Sequence, residues 1–135
     1  MREENLMGTD DCQTDLVNPV NPSDTRGATR QWLLAGGCQG TFCERKAGAC
    51  AGPHVHTGAD LSKRPERLLI ISGKARIIYR AKDGQICEEV LAPWTSVTIK
   101  PGIRHKLEFL EDTVLMEFRI SRFDPNKTDT EPCEL

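Results

Sequence analysis

Pro53-His54-Val55-His56 sets two imidazoles two residues apart. On a strand, that spacing turns both rings to the same face. Leu68-Leu69-Ile70-Ile71 follows Glu66 as an apolar, strand-like run, and Gly73 breaks it. Further on, Pro101-Gly102-Ile103-Arg104-His105 brings a third imidazole out of a tight turn. The chain has 3 histidines, and all of them fall in this constellation. His54, His56 and His105 with Glu66 make a shell suited to one divalent transition metal. Zinc fits it first, with iron, manganese or nickel as alternatives.

Outward from this stretch, short strand patterns alternate with turns. Gln31–Ala35 and Gly40–Lys46 precede the histidines. Lys74–Arg80 is rich in β-branched residues, and Lys82-Asp83-Gly84-Gln85 then supplies an Asp-Gly hairpin turn into Ile86–Leu91. Ser96–Lys100 alternates with period two. Lys106–Leu110 and Val114–Ile120 flank a Glu111-Asp112 turn. Many short strands without a helical period predict an all-β, antiparallel sandwich or barrel, best fitted by a single jelly roll. Residues 1–28 read as an irregular polar arm, 29–123 as the barrel and 124–135 as a polar tail. Trp32, Phe42, Trp94, Phe109 and Phe118 are expected in the core or at an interface.

The length, 135 residues, suits one domain, and 18 basic against 20 acidic residues leave a net charge of -2. Nonspecific nucleic-acid binding needs a basic surface, so no nucleic-acid partner is expected. No apolar run is long enough to span a bilayer, and the first residues lack the apolar segment of a secretory signal. The expectation is a cytoplasmic protein whose 6 cysteines are mostly free thiols. Cys38, Cys43 and Cys50 do not have the paired spacing of a zinc ribbon.

The histidine stretches resemble the two motifs of the cupin superfamily. His54, His56, Glu66 and Gly73 match the first motif's H-x-H and E-x6-G, and Gly102 and His105 match the G-x2-H core of the second. Thr57 to Pro65 reads as an insertion within the first motif. Trp94, Lys100 and Phe109 stand where the second motif has Gly, Pro and Asn. Asp24-Thr25-Arg26-Gly27 is similar to an element of dTDP-4-dehydrorhamnose 3,5-epimerase-type cupins. The tail, Phe123-Asp124-Pro125-Asn126-Lys127-Thr128-Asp129-Thr130, resembles the end of the C-terminal cupin domain of capsular-polysaccharide sugar-nucleotide reductases. So do Gly52–His56 and Glu66–Ala75. The resemblance implies a jelly-roll cupin with one bound metal, a nucleotide sugar as small-molecule substrate, and a homodimer. It also implies epimerisation or isomerisation of a keto sugar in polysaccharide biosynthesis.

A metal held by three imidazoles and a carboxylate keeps open positions for a substrate oxygen, where it polarises a carbonyl and acidifies the adjacent C–H. Tyr79 is the candidate base. Arg45, Arg76 and Arg104 are candidate clamps for phosphate or carboxylate, and Lys63, on the inserted loop, is a candidate pocket residue. Two alternatives stay open: a noncatalytic module that binds a sugar or small ligand, and an Fe(II)-dependent dioxygenase.

Overall fold

The computed structural model describes residues 7–9, 11–20 and 26–135. Asp24 and Thr25 of the Asp24–Gly27 element lie outside them. The strands are β1 (Met7–Thr9), β2 (Cys12–Thr14), β3 (Thr29–Leu33), β4 (Gln39–Arg45), β5 (Cys50–His56) and β6 (Glu66–Ser72). They continue with β7 (Ala75–Arg80), β8 (Ile86–Leu91), β9 (Ser96–Ile99), β10 (His105–Phe109), β11 (Thr113–Arg119) and β12 (Thr130–Pro132). Short 3-10 turns at Ala35–Gly37, Leu61–Lys63 and Pro125–Lys127 are the helical elements among the described residues. None is long and apolar enough to cross a membrane.

Ten of these strands form two antiparallel five-stranded sheets, ordered β12-β5-β10-β7-β8 and β3-β4-β11-β6-β9. They face each other as the predicted jelly-roll sandwich. The arm contributes the β1–β2 hairpin and a bridge from Pro19 to Arg30. The tail, set apart from the barrel on sequence grounds, supplies the edge strand β12 against β5. The Asp83-Gly84 turn closes the β7–β8 hairpin as expected. All six cysteines are free.

Inward side chains stack in two tiers. Leu68 and Ile70 on β6, Leu107 and Phe109 on β10, Leu115 on β11, and Ala75, Ile77, Leu91 and Ile99 close the apolar tier. One alternate position along, the same inward faces turn polar, to Glu66 on β6, His105 on β10 and Glu117 on β11. Period-two alternation therefore carries a single line of side chains from core to site. Of the aromatic residues expected in the core or at an interface, Phe109 lies in the core at 3% exposure. Trp32 and Trp94 are 53% and 72% exposed. Trp32 sits on the edge strand β3, and Trp94 lies in the connection from β8 of one sheet to β9 of the other.

On β5 the alternation is deliberately broken. His105 pairs with His54, but Leu107 pairs with Ala51, so β5 carries one extra residue across this step. Ala51 packs against the apolar tier while His54 and His56 turn inward above it. Strict alternation would have sent either Ala51 or the histidines to the outside. Gly52 makes the offset possible. It has φ 87°, and a Cβ there would stand 2.7 Å from the His105 carbonyl oxygen and 2.9 Å from the His54 nitrogen. Gly52→Ala is expected to cost on the order of 1–3 kcal/mol, from positive φ and close backbone contact. Chemical denaturation would read this as a lower midpoint, and metal retention should fall with it.

Candidate metal centre

His54, His56 and His105 converge where β5 and β10 pair. Each offers one nitrogen, and these nitrogens lie within 4.8 Å of one another. Ring centroids are 4.6 Å apart for His54–His105, 4.9 Å for His54–His56 and 5.2 Å for His56–His105. His56 and His105 are buried, and His54 is half-buried and faces the opening. Glu66 reaches in from the opposite sheet, its Oε2 3.2 Å from His56 Nε2 and its Oε1 3.4 Å from His105 Nε2.

The outer nitrogens are held from behind. His105 Nδ1 is 2.9 Å from the Ile103 carbonyl oxygen, an acceptor, so Nδ1 carries the proton and Nε2 faces the centre as a lone pair. His56 Nδ1 lies 3.1 Å from Thr130 Oγ1 and 3.4 Å from Asp129 Oδ1, both on the tail. His56 Nε2 is buried and has no hydrogen-bond partner among the described residues. A buried orphan nitrogen facing a carboxylate, with two further imidazoles beside it, is the arrangement a cation completes. The donor set of nitrogens and one carboxylate suits zinc, iron, manganese or nickel and does not choose among them.

Electrostatics agree with this. Burial, then repulsion from His105 and His56, lowers the His54 pKa to about 4, which keeps that imidazole neutral and able to bind metal. Burial alone would raise the Glu66 carboxyl. The His105 and His56 imidazoles beside it outweigh that and hold it well below the usual carboxylate range. Glu117 moves the other way. Burial, with the Glu66 charge adding to it, pushes this carboxyl up to about 7.

A cavity of about 180 Å³ opens over these groups. Two sequence-predicted residues reach it. Lys63 is nearly buried, with Nζ 3.7 Å from Glu66 Oε2. Arg45 lines the wall, although its donors go to the Ala28 and Glu44 carbonyls and to Thr29 Oγ1. The other candidates stand outside the lining. Arg76 pairs with Glu108 at 3.0 Å, and Arg104 donates to the Glu134 carbonyl. Tyr79 lines a neighbouring cleft of about 370 Å³ with Glu89, Val97 and Lys100. It is opposite His105 in the β7–β10 register but is not among the residues that face the imidazoles.

Sequence reasoning missed Asp129, Thr130 and Glu117. Asp129 Oδ2 accepts from the Gly58 and Asp60 backbone nitrogens at 2.9 and 3.1 Å, pinning the inserted loop. Asp60 Oδ2 and Ser62 Oγ are in turn held by Arg119, whose other nitrogen reaches Glu117 Oε1 at 2.7 Å. The tail motif that includes Asp129-Thr130 was the available signal for the first two. Glu117 sits at a regular inward position of β11, which the alternation could have given.

No family model matches this chain, and no curated protein matches it either. Solved structures do. Over 90% of this chain and 35% of the other, the structure of CapF with the inhibitor 3-isopropenyl-tropolone superposes at a TM-score of 0.71 and 26% identity. The capsular polysaccharide assembling protein CapF from Staphylococcus aureus superposes at 0.68 and 27% identity, over 89% of this chain and 32% of that one. Oxalate decarboxylase from Bacillus subtilis matches at 0.65 and 19% identity, over 85% and 30%. This chain spans about a third of the length of each. It has a cupin fold resembling part of CapF.

Two outcomes are expected. Dialysed protein should hold one divalent ion per chain. His54→Ala, His56→Ala or His105→Ala should abolish this, and Glu66→Gln should weaken it, as read by elemental analysis. Affinity should fall as pH is lowered, because protons compete for the imidazoles. The second concerns metal-free protein. His54 titrates lower in the folded chain, about 4, than its ordinary 6.5, so the unfolded chain binds more protons between these values. Its stabilising contribution is whole above pH 6.5 and is lost as pH falls toward 4. The melting temperature of the wild type minus that of His54→Gln, measured with chelator, should therefore decline across this window.

Proposed function

We propose that this chain is a metal-dependent epimerase or isomerase of a keto sugar carried on a nucleotide, acting in polysaccharide biosynthesis. One observation carries the reading. Three imidazoles and a buried carboxylate converge in a cupin that resembles a capsular polysaccharide assembling protein over 90% of its length.

A bound metal would supply a Lewis acid for a carbonyl oxygen. His54, His56 and His105, with Glu66, would hold it. Proton transfer at the carbon beside that carbonyl needs a group that faces the same space. Lys63 and Glu117 line the cavity with the imidazoles, whereas Tyr79 does not, so these two take the base and acid roles in this reading. At about 180 Å³ the cavity is smaller than the roughly 300–1,000 Å³ of a typical enclosing ligand site. It would take in the reacting sugar and leave the nucleotide outside. Exposed Trp32 and Leu33 on β3 support the further reading of a homodimer, since exposed apolar side chains favour burial against a partner.

The test is solvent exchange. Zinc-loaded protein is incubated in deuterated water with a nucleotide-linked 4-keto sugar and followed by proton NMR. Deuterium should enter at a carbon adjacent to the carbonyl, and His56→Ala should abolish this. Lys63→Met should slow it by at least 100-fold, in line with the loss of a general acid or base. Tight binding without exchange would replace this reading with the noncatalytic module. Oxygen uptake by the Fe(II) form would replace it with the dioxygenase.

A further inference from the structure

We infer that Asp129 is the positioning residue of the metal centre. One of its oxygens fixes His56 with the proton on Nδ1 and the lone pair on Nε2, and the other fixes the loop that delivers Lys63. The inference rests on His56 being a metal ligand, part of the reading above, but not on the reaction.

The geometry is specific. The Asp129 side chain is 1% exposed. Its Oδ2 is fully engaged by two backbone amides of the inserted loop, at Gly58 and Asp60, and the Thr57 nitrogen donates to its carbonyl at 3.1 Å. Its Oδ1 is buried, has no hydrogen-bond partner among the described residues, and points at His56 Nδ1 from 3.4 Å. A buried carboxylate oxygen with nothing to accept from carries a large desolvation cost unless a donor faces it. His56 Nδ1 is the group that faces it at 3.4 Å, and a proton on that nitrogen would supply the donor. Thr130 Oγ1, 3.1 Å from the same nitrogen, is the competing partner. A hydroxyl can donate or accept, so by itself it does not choose a tautomer. A carboxylate only accepts, and so it does. With Nδ1 protonated, Nε2 is left bare toward Glu66 and the other two imidazoles. Carboxylates behind metal-binding histidines commonly act this way, and their loss weakens metal binding about 10–100-fold.

The second oxygen extends the role. Asp129 joins His56 on β5 to the inserted loop, whose 3-10 turn Leu61–Lys63 sets Lys63 Nζ near Glu66. One carboxylate therefore sets both a ligand's proton and the position of Lys63.

The experiment reads the tautomer in the full chain, treated with chelator, by two-bond proton–nitrogen NMR of the His56 ring. In the wild type the proton is expected on Nδ1. Asp129→Asn keeps the size. Its amide oxygen stays with the two loop amides, which leaves its NH2 facing Nδ1 and drives the proton to Nε2. Zinc affinity, measured by chelator competition, should drop about 10–100-fold. Thr130→Val should keep the Nδ1 proton and most of the affinity. The inference is overturned if the wild type carries its proton on Nε2, donated to Glu66. It is also overturned if Asp129→Asn leaves tautomer and affinity unchanged, or if Thr130→Val alone moves the proton. If Asp129→Asn does not fold, the wild-type tautomer and Thr130→Val decide between the same two partners. Zinc binding by a wild type with the opposite tautomer would leave the proposed function standing and remove Asp129 from it.

Discussion

One residue of offset on β5 carries the whole site. A strand shows alternate residues to each face, and two strands paired in step keep that parity along their length. The step between Ala51 and His54 breaks it, so β5 serves the apolar tier with one parity and the metal tier with the other. The histidines, the orphan nitrogen and the alignment of β12 behind His56 all follow from that shift. The irregularity is a requirement of the site, as bulges beside functional groups commonly are.

Once turned inward, the polar tier is satisfied largely by groups of the protein itself. Three imidazoles, two carboxylates and a lysine share one end of a narrow sandwich. Their protons are distributed by fixed partners: the Ile103 carbonyl behind His105, the tail behind His56, and Arg119 against Glu117. Arg119 also clasps Asp60 and Ser62, so the loop above the site and the strand below it are tied by a single guanidinium. Such planar, multidentate contacts are what arginine offers where lysine cannot. His56 Nε2, which faces Glu66 and has no hydrogen-bond partner among the described residues, is the feature that asks for a cation.

Much of this was legible in the sequence because it is local. The two-residue spacing of His54 and His56, the turn before His105 and the alternation from Glu66 to Ile70 each depend on neighbours in the chain. The inserted stretch before Glu66 changes the spacing of the motif, yet β6 still begins at Glu66 and presents that carboxylate inward. The illegible part is long-range. Nothing near Asp129 says that it lies against His56, and nothing near Arg76 says that Glu108 on the neighbouring strand takes its charge. Tyr79 has the right register but lines the next cleft, which pairing alone does not reveal. Trp94 is apolar by composition and exposed by topology, since it falls between strands at the open edge of both sheets.

The place of β12 in the chain gives the site a birth order. Thr130 and its partner His56 are 74 positions apart, yet their side chains share a hydrogen bond. A ribosome adding about 5–20 residues per second completes β5 some 4–15 seconds before it supplies β12. β10 is made only in the last third of that interval, and wherever β5 and β10 pair before β12 docks, the three imidazoles come together with no tail behind His56. In such a stage the histidines are gathered while the His56 proton alone lacks its partners on the tail, and the docking of β12 ends it.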